Sequence, residues 1–366
     1  MTRPWRSSAS RTRSIPRKRG CSPIQPRFGV LWRRSRASWL GPTPSCSPSK
    51  PPYNWGRVKP PCQAWPLLVA GTITRDDVRT PMGVNTDGLG GSATYFTLAA
   101  RLFAPVSVVG TAGPDFMPAF EDAMRGTGAD LRSVVQSELP TYRWHAEHDY
   151  ETGTTRNERS DQGAYRGFTP VLTPDQRKAK IVFLGSMEPR HQMRVLEQLE
   201  APWLVAGDTM KLYIREEPDA LEPVLQRLDY LFLNASEAMA LANVDTIEEA
   251  SEQLRHRFTL RGLVIKEGPK GATLYRHGDD IHLPALPVDP PTDPTGAGDA
   301  VAAGFLGCLA EQQVETDDSV RLALGYAMVM ASFTIQHFSV RGLQPITRDD
   351  VEARMASMAW QVQPTG

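Results

Sequence analysis

The sequence predicts an α/β protein in which a mostly parallel central sheet lies between helices, with a small β lid at its edge. Three observations predict this. From residue 66 onward, short apolar runs that close on Gly alternate with helical patterns, the arrangement of a parallel sheet covered on both faces. One stretch, 141–165, breaks the rhythm by alternating polar residues with aromatic or small ones, as exposed antiparallel strands do. Near the C-terminal end, a turn rich in Gly opens a helix of small residues, and such a turn cradles anions.

Residues 1–65 stand apart. They hold 14 of the chain's 41 Lys and Arg, none of its 41 Asp and Glu, and five of its eight Trp, with no sustained periodicity. The segment reads as a disordered basic extension. Its Arg- and Ser-rich, acid-poor composition also fits an organellar transit peptide. A translational start set upstream of the true one is a third reading, although no Met lies between Met1 and Met82. The remaining residues, 66–366, carry 27 basic and 41 acidic side chains, a formal −14 inside a chain whose net charge is zero. So acidic a body is a poor partner for nucleic acid. No stretch approaches the roughly 20 apolar residues of a membrane span. Cys21, Cys46 and Cys62 fall in the first segment, Cys308 sits in an apolar helical run, and no C-x-x-C pair exists, so neither a disulfide framework nor a zinc site is indicated. The expected location is the cytoplasm, or an organelle if residues 1–65 act as a transit peptide.

The body begins with Leu67-Leu68-Val69-Ala70-Gly71, a buried strand by its unbroken apolarity. Gly90-Gly91 opens a helical pattern through Ala93, Phe96, Leu98, Ala99 and Leu102. The next strand is Val106-Ser107-Val108-Val109-Gly110, and further strands are expected at 181–185, 203–207, 230–233 and 263–266. Helical patterns sit between them at 191–199, 218–228 and 247–258, and the last 60 or so residues are helical, chiefly at 319–333 and 347–358. The lid strands are expected within 139–166. His145 and His148, spaced H-x-x-H with no third ligand, read as lid surface.

The sharpest local signal is Asp293-Pro294-Thr295-Gly296-Ala297-Gly298-Asp299-Ala300, followed by Val301-Ala302-Ala303-Gly304. A helix N-terminus leaves backbone N–H groups unpartnered and carries partial positive charge, and Gly lets that backbone approach an anion. Three readings compete: an ordinary helix start, a dinucleotide-binding turn, and a kinase anion hole with Asp299 as base. The second lacks its third Gly and no further strand follows it. No G-x-x-x-x-G-K-[ST] occurs, which disfavours a P-loop enzyme. The eight-residue string fits the third reading best.

With this string the chain resembles the ribokinase (PfkB) family of carbohydrate and nucleoside kinases, over about residues 66–360. The C-terminal signature of that family is matched from Asp293 to Asp299, and the paired Gly before a helix by Gly90-Gly91-Ser92-Ala93-Thr94. The N-x-x-E element looks like Asn234-Ala235-Ser236-Glu237, and a nucleotide segment looks like Lys266-Glu267-Gly268-Pro269-Lys270-Gly271. The resemblance implies a ribokinase-like fold, with the β lid at 139–166, and an ATP- and Mg²⁺-dependent kinase that phosphorylates a hydroxyl of a sugar-like substrate. It also leaves room for a monovalent cation and a homodimer formed through the lid.

In that reading the amides of Gly296, Ala297 and Gly298 stabilise the migrating phosphoryl group, and Asp299 orients the acceptor hydroxyl and takes its proton. The helix N-terminus is expected to lower the pKa of Asp299. Asn234 and Glu237 would hold Mg²⁺ through its waters, or cap the helix that begins near Ala235, or both. Lys266, Gly268, Gly271 and Thr295 would face the nucleotide. Asp76 or Asp77, after the first strand, would bind substrate hydroxyls beside Gly90 and Gly91. Asp208 holds a similar edge position. Where many sugar kinases of the family carry Asn, this chain has Tyr95, whose face would stack on a base or a sugar ring. The expected acceptor is a neutral furanose polyol, a free sugar or a nucleoside, because no Arg or Lys cluster for a sugar phosphate lies near the paired Gly, where Arg101 stands alone. The alternatives are a nucleoside kinase of the same family, a kinase-like protein that only binds, and, more distantly, a dinucleotide-dependent oxidoreductase.

Overall fold

The computed structural model describes residues 63–150 and 154–358. In chain order its strands are β1 (Leu67–Ala70), β2 (Thr74–Thr80), β3 (Gly83–Gly90), β4 (Val106–Ala112), β5 (Asp130–Gln136), β6 (Tyr142–Asp149), β7 (Thr154–Asp161), β8 (Ile181–Leu184), β9 (Leu204–Asp208), β10 (Tyr230–Asn234), β11 (Gly262–Lys266), β12 (Ala272–Arg276) and β13 (Ile281–Leu283). The helices are α1 (Ser92–Ala100), α2 (Met117–Met124), α3 (Pro189–Leu196), α4 (Lys211–Glu216), α5 (Pro218–Leu225), α6 (Ala235–Ala242), α7 (Ile247–Arg257), α8 (Ala297–Gln312), α9 (Asp317–Thr334) and α10 (Arg348–Met358). Each strand and helix expected from the apolar runs is present. Edge strands β5, β12 and β13 and helices α2 and α4 add to them.

Nine strands form one sheet in the order β13-β12-β11-β10-β9-β8-β1-β4-β5. From β11 to β5 every pairing is parallel, and only β12 and β13 run antiparallel at one edge. The unbroken apolar runs follow from burial on both faces. Leu67 and Val69 of β1, with Ile181 and Phe183 of β8, join the core under α1, α8 and α9. Leu68, Ala70, Val182 and Leu184 point the other way, into the core under α3, α5, α6 and α7. Phe183 stacks on Phe96 of α1 with ring centroids 4.7 Å apart, and truncating such a ring to Ala costs about 3–5 kcal/mol. The small residues of α8 serve packing, since Gly304 lies against the Tyr326 carbonyl of α9.

A second sheet, in the order β3-β2-β6-β7, is the lid. The lid strands expected within 139–166 correspond to β6 and β7, and no strand is expected over residues 74–80, where Asp76 and Asp77 follow the first strand. In fact β2 runs parallel to β6 and antiparallel to β3. Its sequence, TRDDVRT, hides the strand because the alternation lies in burial, not in hydropathy: Thr74, Asp76, Val78 and Thr80 turn inward, and the residues between them turn outward. Consecutive strand residues face opposite sides, so Asp76 and Asp77 have separate fates.

The basic extension falls outside the described residues except for its last three. Of these, Trp65 donates its backbone N–H to the Ala310 carbonyl at 3.0 Å and sets its ring edge-on to Trp203, centroids 5.0 Å apart. The Gln63 carbonyl accepts a bond from the Gln313 side chain at 2.7 Å. Among the described residues no helix is long and apolar enough to cross a membrane.

Candidate active site

The C-terminal ends of the parallel strands, where open α/β sheets bind ligands, meet the lid across a cavity of about 280 Å³. Asp299, Gly296 and Thr295 line one wall and Asn234 and Glu237 a second. Asp76, Tyr142, Trp144 and Glu158 come from the lid, Gly91, Ser92 and Tyr95 from the start of α1, and Thr72, Ser186 and Met210 from loops at strand ends. Four lining side chains are carboxylates and none is Lys or Arg.

The paired glycines serve this wall directly. A Cβ on Gly90 would overlap the Asp76 carboxylate, and one on Gly91, at φ 95°, would overlap the Thr72 carbonyl. Asp76 thereby reaches the cavity from β2, with its Oδ1 buried and unpartnered. Burial pushes its carboxyl up to about 7, and the carboxylates of Asp293, Asp77 and Asp299 add to the shift. Asp77 does not join it. Its Oδ2 accepts bonds from Arg143 at 2.6 and 2.8 Å and lies 3.0 Å from His145 Nδ1 on the outer face of the lid.

Gly296 is the N-cap of α8 at φ 77°, and a Cβ there would run into the ring of Tyr95. This corrects the expected use of Tyr95 as a stacking face. The ring is 1% exposed and lies against the Gly296 turn. Only its Oη, buried and without a protein partner, is left for a ligand. The anion hole also differs in one position. The Ala297 N–H donates to the Pro294 carbonyl at 3.1 Å, closing the turn, which leaves the amides of Gly296 and Gly298 for an anion. Thr295 is held by the Asp293 carboxylate, which accepts its N–H at 2.9 Å.

Asp299, in the first turn of α8, has a buried Oδ1 with no partner. Burial raises its pKa to about 7, against the pull of Lys266 and of its own amide, and Glu237 adds to the rise. The expected lowering by the helix N-terminus is thus outweighed by desolvation. Lys266 closes β11, paired in register with Asn234, and its Nζ would lie 2.7 Å from a Cβ on Gly298. It stands beside the hole and draws down the pKa values of Asp208, Glu237 and Asp299. Gly268 and Gly271 shape the β11–β12 turn just past Lys266, outside the cavity lining.

Asn234 and Glu237 form a reciprocal capping box on α6. Asn234 Oδ1 accepts the Glu237 N–H, and Glu237 Oε2 accepts the Asn234 N–H, both at 2.9 Å. Burial raises the Glu237 carboxyl, and burial raises Asp208 well above the usual range while leaving its Oδ1 unpartnered. Buried carboxylates around one Lys, two of them with an unpartnered oxygen, fit a hard divalent cation. Among the described residues no group of three or more His, Cys, Asp or Glu side chains converges to hold a metal ion directly.

Several contributors escaped the sequence reading. Tyr142, Trp144 and His148 share one face of β6 by period 2, a signal present in the alternation already noted at 141–165. His148 is not lid surface, since its Nε2 lies 3.1 Å from Thr295 Oγ1. Tyr150 Oη donates to the Thr292 carbonyl at 2.8 Å, so the lid rests on the segment leading into the anion hole. His145 sits on the outer face with Asp77.

Known proteins share this fold. The profile of the pfkB family carbohydrate kinases matches residues 72–346. The chain is 27% identical to a cytidine kinase of Thermococcus kodakarensis over 264 residues, 70% of this chain and 93% of that protein. Its fold is similar to Arabidopsis thaliana ribokinase complexed with ribose and ATP, with a TM-score of 0.65 and 21% identity over 80% of this chain and 99% of the other. It is also similar to a candidate ribokinase II from E. coli in complex with ATP and Mg²⁺, with a TM-score of 0.65 and 18% identity over 80% and 99% of the two chains.

Proposed function

The chain belongs to the pfkB family of carbohydrate kinases, phosphotransferases with a hydroxyl acceptor, and from that premise we propose that its cavity takes a neutral furanose polyol, a free sugar or a nucleoside, with Asp299 as the base. The observation that carries this is the charge of the lining: four carboxylates and no Lys or Arg. A phosphorylated sugar would bring its own negative charge to a wall that holds no Lys or Arg to pair it, and an unpaired charge in a half-enclosed site is costly. Neutral hydroxyls, by contrast, donate to carboxylates, and Asp76 offers two oxygens to a vicinal pair.

The chemistry follows from the placement of these groups. Asp299 Oδ1, unpartnered in the cavity wall, accepts the bond of the acceptor O–H and aims its oxygen at the γ-phosphorus. The proton moves to this carboxylate as the new P–O bond forms and the bond to ADP breaks. A pKa near 7 makes Asp299 a better base than an ordinary Asp and leaves it largely ionised above neutrality. The amides of Gly296 and Gly298 and the ammonium of Lys266 offset charge on the migrating phosphoryl group. Glu237, with Asp208 nearby, would hold Mg²⁺ through its waters, and the ion would supply charge neutralisation for the ATP phosphates. The capping box fixes the Glu237 carboxylate for that task. Tyr95 Oη adds a donor beside the acceptor's oxygens.

The test is a panel of ribose, fructose, adenosine, cytidine, and fructose 1- and 6-phosphates, with ADP release as the readout. Turnover is expected with one or more of the four neutral acceptors, and both sugar phosphates should lag by at least about a hundredfold in kcat/KM, since an unpaired charge in such a site costs several kcal/mol. A clear preference for a phosphorylated sugar would sink this reading.

A further inference from the structure

We propose that Trp144 and Glu158 form a base reader on the lid, selecting a nucleoside whose base carries an exocyclic amine; this rests on the furanose-kinase reading and narrows its substrate class. Three observations point to it. First, Trp144 on β6 pairs in register with Asp76 on β2, and both line the cavity. Paired residues on neighbouring strands stand about 5 Å apart, close to the separation between a sugar's hydroxyls and a planar base joined to the same ring. A group bound by Asp76 through its hydroxyls therefore presents its base to the indole, and base–aromatic stacking is worth about 1–3 kcal/mol.

Second, Glu158 on β7 also lines the cavity, and its Oε1 accepts the Trp144 indole N–H at 3.2 Å. That bond orients the carboxylate at the rim of the stacking face, and the proposal assigns its Oε2 to the ligand. An ionised carboxylate only accepts. An amine such as N4 of cytosine or N6 of adenine donates to it, whereas a carbonyl in the same place sets lone pairs against a negative charge. Third, no Lys or Arg in the lining could reverse that preference. Tyr95, the aromatic residue beside the paired Gly, is covered by Gly296 and offers no face, so the indole is the better-placed ring.

The experiment compares cytidine, uridine and ribose on the full chain, by calorimetric binding and by kcat/KM with ATP. Cytidine should exceed uridine by at least about tenfold in both measures, because a group built to accept an N–H rejects an analogue that lacks it. Glu158→Gln, whose amide both donates and accepts, should bring the two nucleosides within about threefold of each other. Trp144→Phe should weaken both nucleosides relative to ribose. Equal treatment of cytidine and uridine by the wild type, or discrimination that survives in Glu158→Gln, overturns the base reader. Ribose turnover with no binding of either nucleoside overturns it too, while leaving the furanose reading intact. Failure of all three ligands to bind or react overturns the base reader and leaves the furanose reading to be decided by fructose and adenosine.

Discussion

Asp299 shows how two opposing effects on one carboxyl resolve. A position in the first turn of α8 favours the ionised form, but burial disfavours it more strongly and leaves the pKa at about 7. The folded state therefore holds a proton that the unfolded chain, with an ordinary Asp near 3.8, has already lost. Between about pH 4 and pH 7 that difference makes stability fall as pH rises. Above pH 7 the full cost is present, and below about pH 4 it is absent. Asp299→Asn removes the titrating group, so its melting temperature should match wild type near pH 4 and exceed it at pH 8, by the equivalent of about 1–4 kcal/mol. The same variant should lose roughly three or more orders of magnitude in kcat with ATP binding little changed, since the carboxylate acts in the transition state. A variant that keeps a tenth of wild-type kcat removes Asp299 from the chemistry. A Tm difference that is flat with pH would show that burial is not what sets its pKa.

At the level of elements, the start of α6 carries two functions in one carboxylate. Glu237 closes the capping box and, in the proposed mechanism, holds the hydrated ion. Glu237→Gln separates these, because an amide oxygen still accepts the Asn234 N–H but brings no charge. The helix should persist, with thermal stability within about 1 kcal/mol of wild type, while the Mg²⁺ concentration for half-maximal rate rises by about tenfold or more. An unchanged Mg²⁺ dependence with lowered stability would leave Glu237 as a cap alone. This box was legible in the sequence because capping and metal holding both depend on a local i, i+3 spacing. So were the α8 turn and every central strand, whose apolar runs reflect burial on two faces. The lid was legible only in part. Its strands β2 and β3 are built mostly from Thr, Asp, Arg and Gly, and the pairing of β2 with β6, Thr74 opposite Tyr142, joins residues about 70 apart in the chain. Which of Asp76 and Asp77 faces the cavity depended on knowing that they lie on a strand. The burial of Tyr95 depended on the approach of α1 to α8, nearly 200 residues away, which no local pattern records.

At the scale of the molecule, the question is where the folded body begins. β1 starts at Leu67, and the residues just before it are already engaged: Trp65 by its backbone bond to Ala310 and its contact with Trp203, Gln63 by its bond from Gln313. Trp65 and Trp203 are both half-buried, and their contact ties the strand's entry to the segment before β9, as the backbone bond ties it to α8. A ring pair of this kind contributes about 0.5–1.5 kcal/mol beyond the area it buries. The composition break, in contrast, comes at 65, with all the preceding acid-free, Arg-rich sequence on one side. Contacts with the body thus reach above the composition break at least to Gln63, and two truncations test what they contribute. A chain starting at Gln63 should equal the full chain in kcat/KM and in melting temperature, since no residue of the cavity lies before Thr72. A chain starting at Pro66 should keep its activity but melt several degrees lower, because about 1–2 kcal/mol of ring contact and one buried backbone bond are lost. Loss of soluble protein from the first truncation would mean that the basic extension contributes to the fold. Identical melting of the two would place the boundary at the composition break.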